Sequence, residues 1–238
     1  MTDKSLFITS TEAQIEKARK WELFLQKNKF DFTTIEKIDM SKDCPVIFDK
    51  AGNKFSINFS EDKKNYAKKK ASIKSELISK ALGAGKQGLN ILDLSAGLGI
   101  DAVFLAQLGY SVTALERNPL IYLALNEAIR LSPNLSLKFL FSDALEYLKH
   151  SEVKANVIYF DPMFPDKAKS ALPRQEMVFF RNLVGHDEDA LKVLEVAIRC
   201  KGIKRVVVKR PIKAPALLKP MSSTSGKLIR FDIYGVQP

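Results

Sequence analysis

From residue 89 onward, the order of apolar and polar positions predicts strands and helices in alternation. Residues 157–160, Val-Ile-Tyr-Phe, are typical of the short β-branched and aromatic runs that indicate buried strands. Gly109 and Pro119 stand where a helix ends and where the next begins. The predicted strands span 89–94, 111–115, 135–141, 154–160 and 205–209, and the predicted helices span 100–108, 119–131, 144–149 and 187–199. This alternation predicts an α/β protein with a doubly wound, mostly parallel sheet.

Two regions depart from the alternation. Residues 228–234 predict a last strand, antiparallel and at or near an edge of the sheet. Near the start, residues 11–27 predict a helix, and the apolar stretches 46–48 and 55–59 flank Asp-Lys-Ala-Gly-Asn, which predicts a hairpin. We therefore expect three parts, which are a small N-terminal α+β appendage at 1–60, a basic connector with a helix at 61–86, and a main domain at 87–238.

Composition limits the class of protein. With 238 residues and 46% hydrophobic content, the chain can form one good core plus a small appendage. Its two cysteines and two histidines have no spacing typical of a disulfide scaffold or a metal site, so we expect no metal. The first residues do not resemble a signal peptide, and no apolar run approaches the roughly 20 residues of a membrane helix. We expect a cytoplasmic protein without a membrane partner.

The formal net charge of +11 is concentrated in two segments. Residues 61–86 carry eight lysines against three acidic residues, a net charge of +5, and residues 200–238 carry nine lysines and arginines against one acidic residue, a net charge of +8. Such local excess indicates surfaces for a polyanion such as nucleic acid. The other interpretation is two solvated basic faces.

A glycine-rich turn follows the first strand of the predicted main domain. Gly97 and Gly99 would let backbone N–H groups and a helix N-terminus approach a ligand closely. Together with Ala102 they also satisfy the dinucleotide fingerprint, and Glu116 lies 19 residues after Gly97, near where an acid binds ribose hydroxyls. A nicotinamide-dependent oxidoreductase is therefore one hypothesis for this site.

Acidic residues at four neighbouring strand ends favour S-adenosyl-L-methionine instead. Asp93 lies in the first strand ahead of the glycines, Glu116 ends the second, Ser142 and Asp143 end the third, and Asp161 follows the fourth. In methyltransferases, acids at these places organise the loop facing the methionine part, bind the ribose, meet the adenine amine and face the methyl acceptor. Because the carboxyl ends of parallel strands meet at one edge of a sheet, we expect one common site.

The residues after the fourth strand, Asp161-Pro162-Met163-Phe164, suit an acceptor with a planar exocyclic amine. Amino-directed methyltransferases use such an Asp/Asn-Pro-x-Phe/Tyr arrangement. The carboxylate and a nearby carbonyl accept the two N–H bonds, Pro162 stiffens the turn, and Phe164 covers the base. A tight turn with a core phenylalanine is the alternative interpretation of the same four residues.

Several motifs occur in one order along roughly residues 70–234. They span Asp93–Ala102, Leu115–Pro119, Asp161–Pro165, Lys167–Leu172, Leu183–Gly185 and Val206–Pro211. In this order the chain resembles the RsmJ family, bacterial methyltransferases that act on a guanine N2 near the 3′ end of small-subunit 16S ribosomal RNA. The first 60 residues match only loosely.

The resemblance implies a Rossmann-like class I methyltransferase fold and an S-adenosyl-L-methionine site. It implies that Asp161, Pro162 and Phe164 are catalytic. The implied cofactor contacts are Asp93, Gly97, Gly99, Ile100, Asp101, Glu116, Arg117, Ser142, Asp143 and Asp161. Where the family often has an arginine this chain has Ile100, so only backbone contact is expected there.

The implied partner is small-subunit ribosomal RNA or the 30S ribosomal particle, and nothing in the sequence indicates an oligomeric state. A paired guanine amine is out of reach, so we expect phosphate contacts together with an extruded base. The predicted phosphate contacts are Lys68, Lys69, Lys70, Lys167, Lys169, Lys209 and Arg210. A non-catalytic RNA-binding module would need these basic clusters but not the ordered acids.

Overall fold

The computed structural model describes residues 6–59, 77–83, 88–163, 179–180, 183–184 and 187–236. The chain forms two compact units. The first comprises Met1–Glu61, Asn118–Pro133 and Phe164–His186, and the second comprises Asp62–Arg117, Asn134–Met163 and Asp187–Pro238. The predicted boundaries after residues 60 and 86 fall outside the described residues, so they stay predictions.

The described residues form short strands and helices of up to 16 residues. The strands are β1 Phe7–Ile8, β2 Ile35–Asp39, β3 Val46–Asp49, β4 Lys54–Phe55, β5 Asn90–Asp93, β6 Ser111–Glu116, β7 Leu137–Phe141, β8 Val157–Phe160, β9 Arg205–Pro211, β10 Ser222–Ser225 and β11 Ile229–Gly235. The helices are α1 Glu12–Lys27, α2 Leu77–Leu82, α3 Ile100–Gln107, α4 Pro119–Arg130, α5 Ala144–His150 and α6 Ala190–Ala197. Among the helices described, none is long and apolar enough to span a bilayer.

The first unit contains a small sheet and two packed helices. The sheet has the order β1-β2-β3-β4, with β1 and β2 parallel and the other pairs antiparallel. The predicted helix is confirmed as α1, which begins at a capping box where Thr11 and Gln14 exchange hydrogen bonds of 3.3 Å. Beside α1 lies α4, where the Phe24 and Tyr122 rings are 5.7 Å apart. Trp21 of α1 is buried, with 4% of its surface exposed.

The predicted hairpin is confirmed as β3 and β4. Its turn is held by Asp49, whose Oδ1 accepts from the backbone N–H of Asn53 at 2.8 Å. The second strand is shorter than predicted, because regular pairing ends at Phe55. The sequence analysis also missed β1 and β2, since a two-residue strand gives no period and β2 has an irregular register between Ile35 and Lys37.

The second unit is built on a sheet with the order β10-β11-β9-β8-β5-β6-β7. From β9 to β7 all neighbours are parallel, whereas β11 and β10 pair antiparallel. The predicted α/β, mostly parallel fold is therefore confirmed. β10 was not predicted, because Ser-Ser-Thr-Ser lacks apolar positions, and it places the predicted last strand one position inside the edge.

The two faces of this sheet differ in what they carry. Side chains alternate along a strand, so Leu92, Ile158 and Val206 share one face and join a core cluster with residues of α5 and α6. Ile91, Tyr159 and Val207, one position away, are buried on the opposite face. By the same alternation Asp93 lies on the Ile91 side and Lys209 on the Val207 side, and both belong to this second face.

Candidate active site

The carboxyl edge of the large sheet carries a cluster of acids around one lysine. Lys209 Nζ donates to Asp101 Oδ2 at 2.8 Å and to Asp161 Oδ2 at 2.9 Å. Tyr159 Oη donates to the same oxygen of Asp101 at 2.5 Å. The register explains this meeting, because Phe160 of β8 lies opposite Val208 of β9, which leaves the next residues, Asp161 and Lys209, side by side. Asp101 comes from the first turn of α3.

A second set of hydrogen bonds connects Asp161 to the end of β5. The backbone N–H of Asp161 donates to Ser95 Oγ at 2.7 Å, and the backbone N–H of Ser95 donates to Asp93 Oδ1 at 2.9 Å. Asp93 is 1% exposed. Burial raises the pKa of Asp93 to about 7; the Ser95 hydrogen bonds oppose this shift, and the Asp101 and Asp161 charges add to it.

Electrostatics in the cluster favour one ammonium among several carboxylates. Burial raises the pKa of Asp161, and the adjacent Lys209 ammonium opposes that shift. Burial alone would lower the pKa of Lys209, but the Asp161 and Asp101 carboxylates outweigh it and raise that pKa, so the amine stays charged. Asp101 and Asp161 share one lysine, and their charges also act on the nearby Asp93, so the cluster favours a cationic ligand.

The glycine turn after β5 has the backbone geometry that its sequence predicts. Gly97 and Gly99 have φ values of 53° and 76°, in the left-handed region that favours glycine. The N–H of Gly97 donates to Glu116 Oε2 at 3.0 Å, and Glu116 is 5% exposed. The acid that ends β6 therefore touches the turn directly. Ile100, the next residue, leaves 47% of its surface exposed.

Arg117 connects the acids at the ends of several elements. Its Nη2 donates to Asp187 Oδ1 at 2.5 Å, and its Nη1 lies 4.0 Å from Asp143 Oδ2. Asp143 also caps α5, because its Oδ1 accepts from the backbone N–H of Leu145 at 2.9 Å. Ser142, beside it, donates its backbone N–H to the Glu116 carbonyl at 3.1 Å. The third strand end is thus joined to the second.

Asp187 holds the turn that follows β8. Its Oδ2 accepts from the backbone N–H of Met163 at 2.6 Å, and its own N–H donates to the Met163 carbonyl at 3.2 Å. Burial raises the pKa of Asp187, while the Met163 bond and Arg117 oppose the shift. The sequence predicts a helix that starts at Asp187. The helix begins at Ala190 instead, and only spatial proximity reveals the contact across 24 residues.

The structure brings most predicted site residues to this edge, within the second unit. They are Asp93, Gly97, Gly99, Ile100, Asp101, Glu116, Arg117, Ser142, Asp143, Asp161 and Pro162. Predicted residues that lie outside the described part of the chain are Phe164, Lys68, Lys69, Lys70, Lys167 and Lys169. Ser95 and Tyr159 contact the cluster, and Asp187 contacts Met163 and Arg117, although no site role was predicted for these three residues. In the described segments, no group of three or more His, Cys, Asp or Glu side chains is arranged to hold a metal ion.

Two predicted phosphate contacts take other places. Lys209 turns into the acid cluster because it shares the face of Val207, and its ammonium is engaged by two carboxylates. Arg210 points to the other face, is only 4% exposed and donates to the carbonyl of Pro215. Neither side chain presents its charge to an RNA backbone in this arrangement, so we no longer assign them that role.

Comparisons with known proteins agree with this geometry. The family model SAM_MT, which describes SAM-dependent methyltransferases, matches residues 16–236. Ribosomal RNA small subunit methyltransferase J of Bdellovibrio bacteriovorus is 50% identical over 186 residues, which cover 76% of this chain and 73% of the relative. The protein of the same name from Marinobacter nauticus is 40% identical over 75% of this chain and 69% of the relative.

A solved structure extends the likeness to the fold. The crystal structure of a SAM-dependent methyltransferase from Neisseria gonorrhoeae has a TM-score of 0.69 and 26% identity, and the match covers 97% of this chain and 94% of that one. The likeness includes the part of the chain that matches the family model. The chain is therefore a SAM-dependent methyltransferase that belongs to the family of ribosomal RNA small subunit methyltransferase J.

Proposed function

We propose that this enzyme transfers the methyl group of S-adenosylmethionine to the exocyclic N2 amine of a guanine near the 3′ end of 16S ribosomal RNA. The substrate is this RNA, free or in the 30S particle, in the cytoplasm. The observation that carries the proposal is the position of Asp161 at the end of β8, where Lys209 binds its carboxylate and Ser95 accepts from its backbone N–H. The two relatives described above are named for small-subunit ribosomal RNA.

The residues present fit S-adenosylmethionine. When bound, it supplies an electrophilic methyl group on a positively charged sulfur. We assign its methionine part to Asp93, Asp101 and the Gly97–Gly99 turn, because a cluster with excess carboxylate favours a ligand that carries sulfonium and ammonium charges. A ribose next to Glu116 and an adenine next to Ser142 and Asp143 complete the assignment, in the order in which the strands lie in the sheet.

On the acceptor side, Asp161 is positioned to bind the target amine. Its side chain keeps 36% of its surface exposed, and Lys209 occupies Oδ2. The described residues place no hydrogen-bond donor on Oδ1. The guanine N2 lone pair is delocalised into the ring, which makes the amine a poor nucleophile. An N–H···O bond to Oδ1, with a second to a nearby backbone carbonyl, would favour a tetrahedral nitrogen and expose that lone pair.

The proton that leaves the amine needs no strong base. The N–H becomes acidic only as the new N–C bond forms. The group that takes the proton therefore needs to be ionised and near the amine, but it does not need to be strongly basic. Asp161 is the nearby candidate: burial raises its pKa, and the adjacent Lys209 ammonium opposes that shift. Most of the acceleration would come from alignment of the amine with the methyl group, which contributes up to roughly 10 kcal/mol in favourable cases.

The two alternatives from the sequence explain less. A nicotinamide-dependent oxidoreductase has no use for an Asp-Pro-Met turn clamped by Asp187. A non-catalytic RNA-binding module has no use for an ammonium held between two carboxylates.

The test is transfer of labelled methyl from S-adenosylmethionine to small-subunit particles from a strain that lacks this protein, followed by nucleoside analysis. We expect the label in N2-methylguanosine, in a fragment from the 3′ end of the RNA. Label in another nucleoside would reject the guanine N2 assignment. Cofactor binding without transfer to the particle or to naked RNA would reject the substrate.

A further inference from the structure

We propose that two short segments, one after β9 and one after β10, form a wall that binds the RNA backbone next to the target amine. This basic wall comprises residues 211–213, which continue from β9, and residues 226–228, the turn between β10 and β11. Lys213 and Lys227 would contact phosphates, and the exposed Leu228 would pack against a sugar or a base. The inference rests on the proposed function, since it names the surface that holds its substrate.

The location follows from the sheet. β9 runs parallel to β8, so its last residues lie at the same edge as Asp161. Ile229 of β11 lies opposite Pro211 of β9, and the N–H of Ile212 donates to the Leu228 carbonyl at 2.9 Å. The two halves of the wall are therefore hydrogen-bonded to each other. They begin two residues after Lys209, which itself contacts Asp161.

The chain between β9 and β10 is held in place by side chains. Arg230 Nη1 donates to the Pro211 carbonyl at 3.1 Å and to the Ile212 carbonyl at 2.8 Å. Further along, Arg210 donates to the Pro215 carbonyl, and Tyr234 Oη donates to the Leu218 carbonyl at 3.1 Å. A segment fixed before binding loses little conformational entropy when it meets a ligand. Arg210 thus holds the chain that follows residues 211–213, which is the role the structure gives it in place of a phosphate contact.

The charge of the segment is one-sided. Residues 211–230 contain three lysines and one arginine and no acidic residue. Arg230 is neutralised by Asp232 at 2.8 Å, but Lys213 and Lys227 are exposed and form no ion pair with any described residue. At the amino side of the sheet, by contrast, exposed Lys154 lies 3.5 Å from Glu152.

An RNA backbone is the occupant that this chemistry fits. Lysine binds phosphate as a point charge, and two lysines on a fixed surface can follow successive phosphates of an unpaired strand. Leu228 follows Lys227 in the turn and is 80% exposed, so its side chain is free to pack against a sugar or a base. An extruded guanine at Asp161 would leave its flanking nucleotides at this edge.

A matched control lies at the opposite end of the same strand. Lys201 and Lys204 are exposed like the wall lysines, but they precede β9 and so lie at the amino edge. The control variant Lys201→Gln/Lys204→Gln removes the same net charge as the wall variant Lys213→Gln/Lys227→Gln. All four positions are exposed, so both variants should fold.

The experiment measures binding of a fluorescent RNA fragment from the 3′ end of 16S ribosomal RNA at several salt concentrations. We expect the wall variant to flatten the slope of log affinity against log salt by about 1.4, at about 0.7 for each phosphate contact on a single strand. The wild-type advantage over the wall variant should therefore shrink about 7-fold between 50 and 200 mM salt. The control variant should keep the wild-type slope.

Methyl transfer and cofactor binding complete the test. With the wall variant we expect a raised KM for RNA, an unchanged affinity for S-adenosylmethionine and a kcat near wild type at saturating RNA. Equal salt slopes for the two double variants would overturn the wall even if the wild type methylates RNA normally. A wild type that binds the fragment but transfers no methyl to any RNA would reject the proposed function, and the slopes would still decide the wall.

Discussion

The two edges of the large sheet use the same strands and carry opposite chemistry. At the carboxyl edge, Asp101 and Asp161 share one lysine, with Asp93 close behind them. At the amino edge, polar groups satisfy the backbone: the N–H of Asn90 donates to Asn156 Oδ1 at 2.9 Å. Neutral hydrogen bonds cost little to bury, whereas neighbouring carboxylates repel each other and resist burial. Unfavourable electrostatics thus identify the edge that does chemistry.

A cavity at the amino edge lacks the perturbed groups of the carboxyl edge. A cavity of about 420 Å³ opens at the amino edge, lined by residues at the starts of β5, β6 and β7, among them Ser111 and Ser136. Its charged lining residues include Glu152 and Lys154, which pair with each other at 3.5 Å. None of the groups with raised pKa described above lines it. A concave surface without perturbed groups is a weak candidate for catalysis.

The largest effect should come from removal of the acceptor carboxylate. We expect Asp161→Ala to lower kcat by about 10²- to 10⁴-fold, because the substitution removes the carboxylate that accepts from the amine. The affinity for S-adenosylmethionine should change much less, which calorimetry can measure. Glu152→Gln at the amino edge removes the same charge and is the control. Near-normal turnover of Asp161→Ala would reject the assignment.

Stability against pH tests the buried acid. The folded pKa of Asp93 is about 7, above the ordinary value of 3.8, so the folded state keeps a proton that the unfolded state releases. This contribution to stability is fully present below about pH 4 and is lost as pH rises through about 7. It amounts to at most about 4 kcal/mol, at 1.36 kcal/mol per pKa unit.

Asp93→Asn should remove that dependence. Urea unfolding between pH 4 and 8 should show the wild type losing more stability than the variant over this range. Parallel curves for the two proteins would mean that Asp93 ionises as readily in the folded state as in the unfolded state.

Replacement of Lys209 separates positioning from simple charge. We expect Lys209→Met to lower kcat by about 10²-fold, as the loss of one preorganised donor does elsewhere. Without the ammonium the pKa of Asp161 should rise further, so activity should be lost at a higher pH as the solution is acidified. Lys204→Met, at the amino end of the same strand, should leave the acidic limb of the pH profile in place. A profile that does not move for Lys209→Met would leave the lysine with a structural role only.

The smallest effect should come from the amino-edge ion pair. Exposed pairs contribute about 0–1 kcal/mol, so Lys154→Gln should change stability by less than that and kcat by less than about twofold. Thermal unfolding and a standard transfer assay measure both. A large loss of activity would mean that the cavity beside Lys154 takes part in the reaction.

The fold was predictable from sequence because apolar period and turn residues are local signals. The acids Asp93, Glu116 and Asp161 were also predictable as neighbours, since the ends of parallel strands converge whatever the register. The position of Lys209 depends on which residue of β8 lies opposite Val208, and this register is set by packing across the sheet. The sequence pattern describes each strand separately, so it shows only that Lys209 follows an apolar run.

The contacts of Asp187 and Arg210 were hidden for a related reason. Asp187 reaches Met163 from 24 residues away, and an acid before a helix has an ordinary explanation as a cap. Arg210 has the sequence context of a surface residue, but alternation along β9 turns it to the face opposite Lys209. Charge counts predict a basic segment without showing which of its cations face water.

The position of Trp21 gives the protein a built-in local probe. It is the only tryptophan of the chain, and it is buried in α1 of the first unit, whereas the acid cluster belongs to the second. Its fluorescence emission therefore reports the surroundings of α1 alone. Titration with S-adenosylmethionine and then with RNA would show, without any label, whether the first unit responds to either ligand.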